Sequence, residues 1–64
     1  MKLKEIKKGE YFTLKNVAYP RDSQVYSRCE YDRAERKYWC QRFDDISEGK
    51  YVDGNREVYV DFTF

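Results

Sequence analysis

The stretch EYDRAERKYWC, residues 30–40, has aromatic residues near both ends and charges of both signs between them. Aromatic residues favour strands, and a short polar centre is typical of a chain reversal, so the stretch predicts the tip of a β-hairpin. A four-residue loop over residues 33–36, built around a type I turn, keeps the hairpin in register. A two-residue turn at Ala34 and Glu35 is less favourable, because it requires positive φ at both positions.

This loop predicts a cross-strand register, because it determines which residues face each other. The expected pairs are Asp32 with Lys37, Tyr31 with Tyr38, Glu30 with Trp39, Cys29 with Cys40, and Tyr26 with Phe43. Successive strand residues point to opposite sides. One face then carries Val25, Cys29, Tyr31, Tyr38 and Cys40, a composition typical of a core. The other face carries Tyr26, Arg28, Glu30, Trp39, Gln41 and Phe43.

The remaining chain predicts further short strands separated by turns. Alternation predicts a first strand over residues 10–15, with Phe12 and Leu14 on one side and Tyr11 and Thr13 on the other. The proline-containing residues 16–23 predict a long loop, and the hairpin strands span residues 24–32 and 37–44. A fourth strand follows, then a turn at residues 53–55 and a last strand with Val58, Val60, Phe62 and Phe64 on one face.

Two short helical turns complete the expected elements. Leu3, Ile6 and Gly9 fit one turn before the first strand, and residues 45–49 have the form of a capping box that ends at a glycine. Residues 1–64 are too few for two cores and form a single domain. Five short strands predict an all-β fold, a small antiparallel barrel of the SH3-like or OB-like kind with a short helical turn. The alternative is an antiparallel meander covered by the N-terminal turn.

Composition favours a folded, cytoplasmic protein. Charged residues are 39% of the chain, but 19% are aromatic and can each bury a large area. No apolar run reaches the length of a membrane span, and no membrane association is expected. The net charge of +1 is uneven, with +3 in residues 1–16, +2 in residues 17–42 and −4 in residues 43–64. This balance lies below the basic excess of a typical DNA-binding domain.

Catalysis and metal binding are not expected. The chain contains no histidine and none of the common nucleophile, phosphate-loop or dinucleotide motifs. Four acidic residues fit a hard-cation site or, more simply, two polar turns, namely Asp44, Asp45, Glu48 and Asp53. We therefore predict no cofactor. Cys29 and Cys40 are expected as free thiols, with a cross-strand disulfide as the alternative.

Aromatic residues interleaved with arginines are the candidate binding residues. They are Tyr26, Arg28, Trp39, Phe43, Arg42 and Arg21. Tyrosine, tryptophan and arginine are enriched at protein interfaces, so the first hypothesis is a binding module for a protein partner or for a second copy of the chain. Stacking of bases on the same rings supports single-stranded nucleic-acid binding as an alternative. A third hypothesis is an inhibitor or sponge that binds a small anionic ligand in a pocket.

Three segments also carry a resemblance: LKEIKKGEYFTL at residues 3–14, VYSRCEYDRAERKYWCQRFDDI at residues 25–46 and VYVDFTF at residues 58–64. Their layout resembles short uncharacterised β proteins encoded by gut bacteria and by their phages and mobile elements. The resemblance implies a cytosolic accessory protein that acts by binding a host or phage factor. No activity is attached to these proteins, so no functional residue is transferred.

Overall fold

The computed structural model describes residues 1–63. Its strands form one antiparallel sheet in the order β1-β2-β3-β4. The elements along the chain are the 3-10 helix η1 (Leu3–Glu5), β1 (Tyr11–Thr13), the 3-10 helix η2 (Asp22–Gln24), β2 (Val25–Asp32), β3 (Lys37–Arg42) and β4 (Gly49–Val52). The all-β prediction is confirmed, and the sheet is the antiparallel meander that was the alternative. None of the helices in residues 1–63 is long and apolar enough to cross a membrane.

The predicted five-stranded barrel is wrong, because the last predicted strand does not form. This segment makes two isolated bridges, Glu57 with Lys2 and Tyr59 with Thr13. The Val58 N–H donates to the Met1 carbonyl at 2.8 Å, whereas Tyr59 and Thr13 exchange two backbone hydrogen bonds of 2.9 and 3.0 Å. The segment therefore changes partner from the N-terminal residues to β1 within one residue, and it cannot build a continuous ladder with either. The sheet stays open at β4, which pairs only with β3 among the described residues.

The hairpin loop has the predicted length. β2 ends at Asp32 and β3 begins at Lys37. The Asp32 carboxylate accepts the Ala34 and Glu35 N–H groups at 2.9 and 3.1 Å, and these bonds hold its pKa below the ordinary value. Arg36 closes the loop in the left-handed region, with φ at 57°. The loop contains no glycine, and hydrogen bonds from its backbone to the Asp32 side chain stabilise the turn instead.

The predicted register holds only at the tip of the hairpin. Asp32 pairs with Lys37 and Tyr31 with Tyr38, as expected, but the register then shifts and Arg28 pairs with Cys40. Two residues of β2, Cys29 and Glu30, therefore lie opposite the single residue Trp39, which is a β-bulge.

Beyond the bulge the predicted pairs are wrong. Tyr26 pairs with Arg42 instead of Phe43, and Cys29 does not face Cys40. Arg28 is held from its other side as well, since its N–H donates to the Glu10 carbonyl at 3.1 Å and its carbonyl accepts the Gly9 N–H at 2.7 Å. Gly9 adopts φ at 90°, a conformation that favours glycine and allows this approach. The N-terminal segment thus fixes the position of β2 on the far side of the bulge.

The core lies on one side of the sheet, here called the inner side. Its buried cluster comprises Leu3, Ile6, Phe12, Cys40, Val52 and Val58, and the half-buried Leu14, Tyr26 and Tyr38 pack against it. The prediction that Phe12 and Leu14 share a side is confirmed. The prediction for the last segment fails after Val58, because Val60 is 38% exposed. The predicted position of Phe64 lies outside the described residues.

One of the two predicted helical turns forms. The first is η1, which buries Leu3 completely. The second is a single polar turn, in which the Glu48 N–H donates to the Asp45 carbonyl at 3.0 Å and the Asp45 carboxylate accepts the Ser47 N–H at 3.0 Å. The Asp45 side chain accepts a backbone N–H within its own turn, and this local bond competes with the hydrogen bonds of a helix.

Val58→Ala tests whether the two termini complete the core. Val58 is 1% exposed. Removing its two buried methyl groups is expected to lower the free energy of unfolding by about 2 kcal/mol. Urea denaturation measures the loss. Val60→Ala is the matched control and is expected to cost less than about 0.5 kcal/mol. Equal losses at the two positions would contradict the partner change described above.

The bulge also predicts different chemistry for the two free cysteines. Cys40 is completely buried, whereas Cys29 is partly exposed. In folded protein a thiol reagent should label Cys29 quickly and Cys40 only after unfolding, and Cys29→Ser should remove the fast phase. Fast labelling of Cys40 would contradict this burial.

Burial raises the pKa of the Cys40 thiol from 9.0 to about 12. Between these values the folded protein keeps the proton that the unfolded chain loses, so the contribution of this group to stability is full below pH 9.0 and falls as the pH rises toward 12.

Candidate binding site on the outer face of the sheet

The side of the sheet opposite the buried cluster carries most of its exposed aromatic residues. Cross-strand pairing places Tyr11 beside Ser27, Ser27 beside Gln41, and Trp39 beside Tyr51. Phe43 follows directly after β3 and lies against Tyr11. We call Tyr11, Trp39, Gln41, Phe43 and Tyr51, together with the neighbouring Ile46, the outer face.

Two edge-to-face aromatic pairs organise the outer face. The rings of Trp39 and Tyr51 lie 5.1 Å apart with an interplanar angle of 67°. Those of Tyr11 and Phe43 lie 5.5 Å apart at 78°. The Tyr51 hydroxyl donates to the Asp32 carboxylate at 3.2 Å, which ties β4 to the end of β2. These contacts hold the rings in fixed orientations while Tyr51 is still 39% exposed.

Gly49 allows Trp39 to lie across the sheet. A Cβ atom at this position would approach the Trp39 ring to 2.5 Å and the Cys40 carbonyl oxygen to 2.6 Å. Such distances are far below van der Waals contact, so any side chain at residue 49 would displace the ring or the strand. The absence of a side chain therefore decides the orientation of Trp39 and hence the shape of this part of the outer face.

Gln41 fixes the loop that carries Ile46. Its side-chain amide donates to the carbonyl oxygens of Asp45 and Glu48 at 3.1 and 3.0 Å, and also to that of Ile46. These bonds hold the loop against the outer face. They leave the Ile46 side chain 89% exposed, next to Gln41 and Phe43, with which it lines a shallow cavity. An aliphatic side chain is thus held in solvent, away from the core.

Arg42 is engaged within the chain. Its guanidinium donates two hydrogen bonds to the Asp44 carboxylate, 2.5 Å from Nε and 3.2 Å from Nη2. These bonds raise the pKa of Arg42 and lower that of Asp44. In residues 1–63 no group of three or more His, Cys, Asp or Glu side chains is placed to hold a metal ion. Of the acidic residues in this loop, Asp44 pairs with Arg42, and Asp45 accepts the hydrogen bond that closes the turn at Ser47.

The bulge separates the predicted binding residues into different parts of the molecule. Tyr26 and Arg28 lie on the inner side, because they pair with Arg42 and Cys40 beyond the register shift. The Tyr26 ring stacks on Phe12 at 6.0 Å. The Arg28 guanidinium lies 4.2 Å from the centre of the Tyr38 ring, and its Nε is buried with no hydrogen-bond partner among the described residues. The cation–π contact with Tyr38 offsets part of the free-energy cost of burying this polar atom.

The six predicted binding residues therefore do not lie on one face, and their part in binding stays a prediction. Trp39 and Phe43 share the outer face. Arg42 pairs with Tyr26 of the inner side and also borders the Ile46 cavity. Arg21 is exposed and directly precedes η2, outside the sheet.

The structure adds Tyr11, Ile46 and Tyr51 to the outer face. Two of these could be found from the sequence, because Tyr11 alternates with Phe12 and Tyr51 with Val52, so each points away from the core residue beside it. Ile46 has no such signal. Its position depends on the three hydrogen bonds from Gln41, which cannot be anticipated from strand alternation.

No family model, curated protein or solved structure matches this chain. The roles of the outer-face residues are accordingly assigned from the geometry of this molecule, and none is taken from a relative.

Proposed function

We propose that this protein is a non-enzymatic binding module that associates with a second copy of itself through the outer face. The observation that carries the proposal is the exposure of two outer-face residues. Ile46 is 89% exposed beside Phe43, and Tyr51 is 39% exposed beside the Trp39 ring. The solvent-facing side of an antiparallel sheet is normally polar. Several exposed aromatic and aliphatic side chains on that side are typical of a protein interface.

The small core gives a physical reason for self-association. Seven hydrophobic side chains are buried, and single cores in chains of this size rarely contribute more than about 3–5 kcal/mol. Small domains commonly add a disulfide, a metal or an oligomeric contact. Both cysteines are free here. Burying the outer face against a second copy would add apolar burial to a domain whose own core contains little of it.

The character of the residues also suits a protein partner. Tryptophan and tyrosine are enriched among the residues that dominate interface energies. Trp39 and Tyr51 are already held by each other, by Gly49 and by Asp32, so little conformational freedom would be lost on binding. Free thiols suit a reducing compartment, and we place the protein in the cytosol as an accessory factor.

Single-stranded nucleic acid is supported less well by the same geometry. That function needs cations beside the exposed rings. Arg42 is paired with Asp44, Arg28 lies on the inner side over Tyr38, and Arg21 lies outside the sheet. The Trp39 and Tyr51 pair therefore borders a carboxylate, Asp32, rather than a row of arginines.

Tyr51→Ser and Ile46→Ser test this proposal by measuring solution mass against protein concentration with light scattering. We expect the unmodified chain to form a dimer that persists at high salt, because the contact is apolar. Each substitution should raise the dimer dissociation constant at least about tenfold, the effect of removing an interface anchor.

The matched control is Tyr19→Ser, since Tyr19 is 78% exposed and lies in the loop before η2. It is expected to leave the dimer unchanged. A mass that stays monomeric at every attainable concentration would contradict self-association. Equal weakening by Tyr19→Ser and Tyr51→Ser would show that the dimer does not use the outer face.

A further inference from the structure

We infer that the molecule has a second, separate site, a pocket that binds a small phosphate-bearing anion. A cavity of about 200 Å³ lies between the end of β1, the loop that follows it, η2 and the middle of β4. Its polar lining includes Lys15, Ser23, Gln24 and Lys50, and Leu14 and Tyr26 contribute apolar surface. The outer face takes no part in it, because Tyr26 and Lys50 belong to the inner side of the sheet.

The charge of the pocket is entirely positive. Lys15 and Lys50 are its only charged lining residues, and no carboxylate borders the cavity. Elsewhere in residues 1–63, Lys8 is paired with Glu30 and Arg42 with Asp44. Neither lysine of the pocket makes a salt bridge to any described residue. Two ammonium groups at one cavity, with no acidic partner in its lining, favour an anionic ligand.

Lys50 is positioned by an aromatic ring rather than by an acid. Its Nζ lies 5.3 Å from the centre of the Tyr26 ring, which is within the range of a cation–π contact. Tyr26 is in turn stacked on the buried Phe12. The lysine is thus held at the cavity without having its charge neutralised, and it can still donate hydrogen bonds to a phosphate oxygen.

Neutral donors complete the pocket. The Gln24 side-chain oxygen accepts the Arg21 N–H at 2.9 Å, so its acceptor end is occupied. The amide nitrogen of the same side chain makes no hydrogen bond to any described residue, so its N–H groups can donate to a ligand. The Ser23 hydroxyl is exposed beside it. Donors and cations without a competing carboxylate are the groups that recognise phosphate oxygens.

Size and apolar surface indicate the rest of the ligand. The cavity is too small for a stretch of nucleic acid, and two cations would neutralise only two phosphates. The Tyr26 ring and Leu14 provide an apolar wall for an organic group attached to the phosphate. The geometry therefore points to a phosphate monoester of a small metabolite. This inference does not depend on the proposed self-association, since it uses none of the outer-face residues.

Titration of the full chain with inorganic phosphate, and in parallel with a nucleoside monophosphate, tests the inference by amide chemical shifts. We expect saturable shifts at Ser23, Gln24 and Lys50, a dissociation constant on the order of 1 mM for phosphate, and tighter binding of the monoester. Chloride at equal ionic strength should produce no such shifts. The spectrum reports folding at the same time.

Lys15→Gln and Lys50→Gln should each weaken binding by about threefold to fivefold. Lys37→Gln is the matched control, because it removes the same charge at the opposite end of the hairpin, and it should leave the affinity unchanged. Equal weakening by Lys37→Gln, shifts spread over all surface lysines, or no shifts with either phosphate compound would each overturn the inference. None of these results would alter the dimer measurement.

Discussion

The arrangement of the whole sheet depends on the β-bulge at Cys29 and Glu30, where two residues of β2 lie opposite Trp39. A one-residue change of register moves every later side chain of a strand to the other side of the sheet. Here it brings Tyr26 and Arg28 to the inner side and leaves Trp39 on the outer face. The inner side thereby acquires the ring that holds Lys50, and the outer face keeps rings that the core does not use.

The N-terminal segment makes this shift possible. Gly9 and Glu10 hydrogen-bond to Arg28 from the side opposite β3, so the strand beyond the bulge is held on both edges. The same segment contributes Leu3 and Ile6 to the core. The C-terminal residues then bridge to Lys2 and to Thr13 and close over the inner side through Val58. One side of a four-stranded sheet is thus covered by the two chain ends, and the other side carries the outer face.

The sequence predicted the local elements better than their arrangement. The hairpin loop, the first four strands and the shared side of Phe12 and Leu14 follow from turn chemistry and from alternation, which are local properties. The bulge could not be predicted, because neither Cys29 nor Glu30 has a side chain that distinguishes a bulged residue from a paired one. The barrel prediction failed for a non-local reason, since the alternation after Val58 does not show that the segment changes partner.

The candidate site shows the same division. Trp39 and Phe43 were identified because aromatic residues on the outward side of a strand are visible in the sequence. Tyr26 and Arg28 were assigned to their side by extending an uninterrupted register through the bulge. Ile46 is exposed because Gln41 holds its loop, and the Lys15 and Lys50 pocket combines residues that are far apart in the sequence. Contacts between distant segments have no signature in the alternation of a single strand.

The cross-strand proton contacts of Cys40 test the bulge most directly. The Phe43 N–H donates to the Val25 carbonyl at 2.9 Å, so counting along the ladder makes Arg28 and Cys40 a non-hydrogen-bonded pair, whose α-protons lie close together. A nuclear Overhauser spectrum of the purified protein should therefore show a strong contact between the α-protons of Arg28 and Cys40. A strong contact between Cys29 and Cys40 in its place would mean an uninterrupted register, and it would contradict the division of the aromatic residues between the two sides.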